Sequence, residues 1–557
     1  MKLSKKNKKS YKLNLKKNDK NCYFSKPYLR NNQFSYFYFL LLTACGGGSQ
    51  QNTQENTQVV LATTGVDFVN PQISYGLNNS GQQEDPYWLT ALIQLQQEEN
   101  GYFNVVSSTD GFKFSFPDSP PSYLSVSEQN GWQSVNEKVK VAARNLFAEL
   151  DQKLNISFKE VSNPNATSVI SIMSNKQTTT TGYAYDPLDV LYPTDNYLFS
   201  DVFLSLDYTN PLKTGNNTNF DYELIIHEVG HAVGLRHPFK VSSGDGIYLS
   251  PKEENNKWTV MSYDFNTTYF DGTYRMLDWA ALANLYGINP NYNPSSNTYS
   301  FNSISGSIIL DGAGIDTISA KGQVVHSYLD LRMGSHSYVG NKSSLITDPF
   351  QLSVGNSLIE NAEGGNGNDW LIGNETSNTL MGLAGDDVIY GGSGSDIIYG
   401  GLGNDIIDLT EQTQSIDIVV FEDDLNVNGI DVIYAFKQGI NGDALQFSNF
   451  KAENLMPTVF SQPDQNINIS NKICLVQNES IASTNGVMEE INNGNLKNLN
   501  LENGFSSILI GAVNQSTGSN QYIYELDRIG NDITITGIAL LSDNQLDLDS
   551  WSEYNFA

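Results

Sequence analysis

Beyond residue 110 the apolar positions recur with readable periods. Residues 112–116 alternate apolar and polar and stop at Pro117, which predicts a strand. Val135, Val139, Ala143, Leu146, Leu150 and Leu154 recur at helical spacing and predict one long amphipathic helix. Residues 156–161, 169–173, 182–185 and 202–206 read as further strands. A second helix opens at Thr218, where Asp221 three residues on gives a capping-box pattern, and continues through Leu224, Ile225 and Ile226. A third spans 276–286 and ends at Gly287. From residue 364 the period becomes nine, with units in strict phase starting at Gly364, Gly373, Gly382, Gly391 and Gly400. Near the C-terminus only 522–526 and 533–538 read as strands.

The length of 557 residues implies at least two domains. The formal charge of −29 understates the acidity of the body, because residues 1–44 are strongly basic and carry a net +10, leaving −39 for the rest. So acidic a surface argues against nucleic acid as a partner and for bound cations. Cys22, Cys45 and Cys474 provide no disulfide framework. The apolar run 34–44 is too short to span a bilayer and has the length of a signal-peptide core. It ends in Leu42-Thr43-Ala44-Cys45, which resembles the lipobox of bacterial lipoproteins and would make Cys45 a lipidation site. The expected layout is a lipoprotein-type signal peptide at 1–44, a flexible tether at 45–60 and a catalytic domain at 61–290. Junction strands follow at 300–363, repeats at 364–408 and a C-terminal β module at 409–557.

The chemistry concentrates in His227-Glu228-Val229-Gly230-His231 and the residues up to His237-Pro238. Two histidines four residues apart on a helix face the same way, one turn apart, as two ligands of one tetrahedral metal require. Glu228 stands where its carboxylate can reach a metal-bound water as general base. Gly234 can end the helix in the left-handed conformation, so that His237 returns as a third ligand. Three protein ligands with one open position describe a catalytic zinc site.

This stretch, with Gly-Leu-Arg-His-Pro at 234–238 and Thr259-Val260-Met261-Ser262-Tyr263 downstream, resembles the serralysins within the metzincin clan of zinc proteases. The resemblance implies an α+β metzincin catalytic domain followed by an all-β domain of parallel β-roll and β-sandwich. It implies zinc on His227, His231 and His237, Glu228 as base and Met261 as the floor of a Met-turn. Tyr263 would be a movable extra ligand that swings off to stabilise the oxyanion. Residues 182–185 resemble the edge strand on which this clan lays its substrate.

The nonapeptides resemble the repeats-in-toxin array, which implies a β-roll with several calcium ions. Asp369, Asp387 and Asp405 would stack on one face, and Asn378 and Asp396 on the other, where the repeat at Gly373 has lost its inner glycine and its aspartate. The first face should therefore bind calcium more tightly, and Glu360 would extend the second. Residues 308–318 and 328–331 resemble the junction leading into the roll; 431–436 and 439–443 resemble strands that cap it. The implied function is a calcium-stabilised zinc metalloendopeptidase that hydrolyses extracellular proteins and peptides. Its location would be outside a Gram-negative-type bacterium or on an outer-membrane lipid anchor. The competing reading is a calcium-dependent surface adhesin with an inert protease fold.

Overall fold

In the computed structural model the described residues are 88, 91–93 and most of 111–556. Within the latter span the undescribed positions fall chiefly at 186–199, 207–217, 240–247, 265–271, 302–306, 341–350, 422–427, 448–453, 461–465, 514–519 and 543–551. The signal peptide, the lipobox at Cys45 and the tether lie outside the described residues, as do the side chains of Thr218 and Asp221.

The N-terminal half is a twisted sheet backed by helices. Its strands are β1 (Phe112–Ser115), β2 (Gln133–Ser134), β3 (Phe158–Glu160), β4 (Val169–Asn175), β5 (Gly182–Ala184) and β6 (Val202–Ser205). The order is β3-β1-β4-β6-β5, with β2 paired to β4. β1, β3, β4 and β6 run parallel, and β5 runs antiparallel to β6 at the edge. The helices pack on one face of β4 and β6 through Ile170, Ile172, Val202 and Leu204, and Leu124 packs with Met173 and Phe203 in a separate cluster, so every residue of those strands is buried.

Helix α1 (Glu137–Lys153) is capped by Asn136, whose side chain accepts the Val139 amide, and it buries Val139, Ala143, Leu146 and Leu150 against the sheet. Helix α2 (Thr218–Ala232) carries the histidine pair, and α3 (Met276–Tyr286) is buried nearly all round. α1, α2 and α3 share one core with Trp88, Leu92 and Ile93.

The C-terminal half is a parallel roll. Residues 370–372, 388–390 and 406–408 pair in one sheet, in the register Trp370↔Val388↔Ile406. Residues 361–363, 379–384 and 397–402 pair in the other, in the register Asn361↔Thr379↔Ile397. The step is eighteen residues, so two nonapeptides make one turn and alternate repeats stack. Leu371, Leu380, Ile389, Ile398 and Ile407 are fully buried between the sheets.

Two expectations need correction. Residues 439–443 are a turn, with Gly439 at φ 92° and Asn441 at φ 64°, and the strand begins at Ala444. The region after 409 is not all β: a helix, α4 (Thr484–Asn492), covers a small second core around Cys474, Leu496 and Leu509. The terminal hairpin Asn520–Ile529 and Asp532–Ser542 joins the roll directly, because its last strand pairs with Asp431–Tyr434.

Candidate metal centre

α2 ends where the sequence requires. The Gly234 amide donates to the His231 carbonyl, and the Leu235 amide reaches back to Gly230 at 2.8 Å, closing a Schellman turn. Gly234 has φ 100°, a conformation that costs a residue with a side chain about 1 kcal/mol or more. The turn returns His237 to the face that bears His227 and His231.

The three imidazoles converge through their Nε2 atoms. His237 Nε2 lies 3.2 Å from His227 Nε2 and 3.1 Å from His231 Nε2. On their far sides, His227 Nδ1 meets the Val260 carbonyl at 2.7 Å and His231 Nδ1 meets the Leu235 carbonyl at 2.9 Å. A carbonyl oxygen only accepts, so these Nδ1 atoms carry the protons and the Nε2 lone pairs point inward. Burial then lowers the pKa of all three histidines, His237 to about 3, so the rings are neutral. Three neutral nitrogens this close repel one another unless a cation lies between them. Their spacing is near the edge of about 3.4 Å expected for a tetrahedron with Zn–N bonds of about 2.1 Å. The residues fit a zinc ion, and among the described residues no other group of three His, Cys, Asp or Glu side chains meets the same convergence.

Glu228 is 4% exposed, and burial raises its carboxyl to about 8. It faces β5 so closely that a Cβ on Gly182 would lie 2.6 Å from its Oε1. Tyr263 is more than half exposed, and its ring centroid lies 4.6 Å from that of His237 and 5.7 Å from that of His227. Burial of the hydroxyl, and then the Glu228 charge, raise its pKa.

Met261 is fully buried beneath α2, where a Cβ on Gly230 would meet its Sδ at 2.8 Å. Gly230, the first glycine of this stretch, is therefore a close-approach residue. The turn that carries Met261 is fastened by Asp278 of α3. Asp278 accepts Thr259 Oγ1 at 2.6 Å, the Val260 amide at 2.8 Å and the Arg275 amide at 2.9 Å. Arg275 in turn pairs with Glu223 of α2 at 2.7 Å, both side chains being buried. The loop before His237 is fastened from the N-terminal side: the Arg236 amide donates to the Leu92 carbonyl, and Ile93 bridges to Leu235. Neither fastening, nor the close approach at Gly182, carries a signal in the sequence.

In the roll, the sixth-position residues form two ladders. Each amide donates to the next side chain, from Asp369 to Asp387 to Asp405 on one face and from Asn378 to Asp396 on the other. Asp387, Asp396 and Asp405 are each 1% exposed, and the Oδ2 of each is buried without a partner. Anionic oxygens left in this state are costly, and hard cations bound by oxygen would satisfy them. Asp369 differs, because both its oxygens accept backbone amides, from Ser327 and Gly365. Glu360 accepts the Asp316 amide at 2.7 Å.

The family model for the RTX calcium-binding nonapeptide repeat matches residues 354–375 and 372–407. The serralysin of Proteus mirabilis is 30% identical over 315 residues, which is 50% of this chain and 62% of the relative. The serralysin of Photorhabdus luminescens is 29% identical over 302 residues, 48% of this chain and 58% of the relative. The metallopeptidase AprA of Pseudomonas marginalis is 29% identical over 207 residues, 32% and 42%. The chain thus spans about three-fifths or less of the length of these relatives, and none of the matches bears on the lipobox at Cys45. With a catalytic-type half of helices and sheet followed by a parallel roll, the chain is serralysin-like and carries RTX calcium-binding repeats.

Proposed function

We propose that the chain is a calcium-stabilised zinc metalloendopeptidase. The observation that carries this reading is the convergence of three Nε2 atoms beside a buried glutamate that faces an edge strand. His227, His231 and His237 would hold zinc, with the Val260 and Leu235 carbonyls fixing the tautomers of the first two. Bound there, zinc would supply Lewis acidity, polarising a scissile carbonyl and acidifying water.

The chain's own groups do the rest. β5 is the last strand of its sheet, so its outer edge can pair with an extended peptide running antiparallel. Glu228, one side-chain length from that edge, would take the proton of the attacking water and return it to the leaving amine. The Tyr263 hydroxyl, whose ring lies beside that of His237, would donate to the oxygen on which negative charge develops. Met261 would hold the floor beneath α2. Asp387, Asp396 and Asp405, with Asp369 at the head of the first ladder, would order the roll around calcium.

The repeats fit an enzyme that matures where calcium is plentiful, since the clustered carboxylates oppose folding without it. Among the described residues no helix is long and apolar enough to cross a membrane. Export and attachment through Cys45 rest on the sequence Leu42-Thr43-Ala44-Cys45, and mass spectrometry of the mature N-terminus distinguishes an anchored from a released protein.

Casein hydrolysis tests the activity. The wild type should cleave with zinc and calcium present, a zinc chelator should stop it, and Glu228→Ala should be inactive while still binding zinc. If the wild type cuts neither casein nor a peptide library, the reading gives way to an adhesin with an inert protease fold.

A further inference from the structure

The edge strand β5 presents two faces. Gly182 and Ala184 face the helices, Gly182 against Glu228 and Ala184 against the main core. By the alternation of a strand, Tyr183 and Tyr185 lie on the opposite face, where both rings pack on Phe203 in the cluster with Leu124 and Met173. β5 has three residues and pairs on one side only, through Gly182↔Leu204, Tyr183↔Phe203 and Ala184↔Val202. So short an edge strand is weakly held by its ladder alone.

A further hold comes from the turn at 121–132. Glu128 Oε1 accepts the Tyr185 hydroxyl at 2.6 Å, and Glu128 Oε2 accepts the Ser125 amide at 2.6 Å. Burial raises the Glu128 carboxyl, but the hydrogen bonds from Ser125 and Tyr185 outweigh it and bring the group below its ordinary value. Glu128 is therefore an anion that only accepts, and Tyr185 is the donor. Hydrogen bonds to an ionised acceptor are roughly twice as strong as neutral ones. Beside it, Asn175 Nδ2 donates to the Tyr183 hydroxyl at 2.9 Å and to the Glu128 carbonyl at 3.2 Å. The turn is itself fixed to β4, because the Lys176 amide donates to the Asn130 carbonyl and β2 pairs with β4 directly after it. Both tyrosine hydroxyls of the edge strand are thus tied to one support, on the face turned away from Glu228.

We propose that Glu128 is a positioning residue for the substrate: by holding Tyr185, with Asn175 holding Tyr183, it fixes the strand on which an extended peptide pairs. The inference rests on the protease reading and adds the anchor that keeps the docking edge ordered before substrate arrives. A peptide that pairs with a loose strand must also order it, and that entropy weakens binding. Pairing restores the strand once the peptide is bound, so ground state and transition state lose equally and the loss falls on KM.

Steady-state kinetics of the zinc- and calcium-loaded full chain, on a fluorogenic peptide long enough to pair along β5, test it. Tyr185→Phe keeps the ring against Phe203 and removes only the hydroxyl. It should raise KM about five- to tenfold with kcat within about twofold of wild type. Glu128→Ala should do the same, and Glu128→Gln, which keeps an acceptor for Tyr185, should recover most of the loss. The double variant Glu128→Ala/Tyr185→Phe should be no worse than the poorer single one, since both remove the same bond. Amide exchange over residues 181–185 should quicken in Tyr185→Phe while that of α2 stays unchanged. A wild type that cuts no peptide sinks the protease reading and this inference with it. A wild type that cuts, with Tyr185→Phe equal to it in KM, overturns the anchor alone, and so do additive losses in the double variant. Should Glu128→Ala fail to fold, Tyr185→Phe decides through the same KM.

Discussion

Gly182→Ala separates placement of the base from stability of the fold. The added Cβ would stand 2.6 Å from Glu228 Oε1, 2.9 Å from its Cδ and 3.0 Å from its Cγ. Ordinary contact begins near 3.4 Å, so the carboxylate must retreat by about 0.8 Å. It is the far end of a side chain and can do so without moving backbone. Gly182 lies in an extended edge strand, where alanine is conformationally acceptable, so stability should stay within about 0.5 kcal/mol of wild type. A misplacement of about 1 Å at a reacting group costs on the order of 10²-fold, or roughly 2.7 kcal/mol of barrier. Gly182→Ala should therefore fold, melt and bind zinc like wild type yet lose between about tenfold and a hundredfold in kcat on a fluorogenic peptide. The split between kcat and KM is diagnostic: a loss confined to KM would point to disturbed strand pairing. Unchanged kcat in a zinc-loaded variant would refute the claim that the edge strand sets the position of Glu228.

Three further outcomes follow from the geometry. Asp278→Ala removes the oxygens that accept two buried amides and the Thr259 hydroxyl, and should cost about 2–3 kcal/mol in urea unfolding; a midpoint equal to wild type would show that the Met-turn does not depend on it. Burial raises the Asp201 carboxyl to about 7, so the folded state holds that proton more tightly than the unfolded chain. Its stabilising effect is complete below the ordinary carboxylate pKa of about 3.9 and is lost as pH rises toward 7. Asp201→Asn should therefore gain on wild type across that window by up to roughly 4 kcal/mol at fixed calcium, and parallel melting curves would contradict this. In calcium titrations Asp387→Ala should lose more affinity than Asp396→Ala, because its ladder holds a second orphaned carboxylate at Asp405; the reverse order would overturn the expected asymmetry between the faces.

What could be read from the sequence is what short range dictates. Two histidines at helical spacing, a glycine to end the helix and a third histidine after the turn leave few alternatives for the backbone; the nine-residue phase is equally plain, while its eighteen-residue stacking came from the resemblance to the repeats-in-toxin array. What could not be read is long range or depends on the absence of a side chain. Asp278 lies in a helix whose apolar pattern gives no reason to single it out, yet it fastens a turn eighteen residues away. Gly182 looks like a weak point in a strand until Glu228 is placed against it. α4 escapes a sequence reading because it buries one residue, Val487, and its apolar stripe of Val487, Met488 and Ile491 is too short to stand out. Residues 439–443 were misread despite two glycines and an asparagine, which are turn residues on any physical account.

These long-range fastenings explain how histidines near the C-terminal end of a helix are held in one orientation. Left to itself, the last turn of α2 has unsatisfied carbonyls and its histidines can rotate. Each imidazole of the helix is instead held by a carbonyl that is itself held. The Val260 carbonyl, which takes the His227 proton, belongs to a turn bonded twice to Asp278, and the Asp278 helix is tied back to α2 through Arg275 and Glu223. The Leu235 carbonyl, which takes the His231 proton, lies in the segment bridged by Ile93, and the next amide is bonded to Leu92. The two supports come from opposite ends of the N-terminal half and share no residue. Loss of one therefore frees one ring while leaving the other directed, which would weaken the metal centre by degrees. The backbone carbonyls thus direct the Nε2 lone pairs of His227 and His231 toward one point through hydrogen bonds that form as the chain folds.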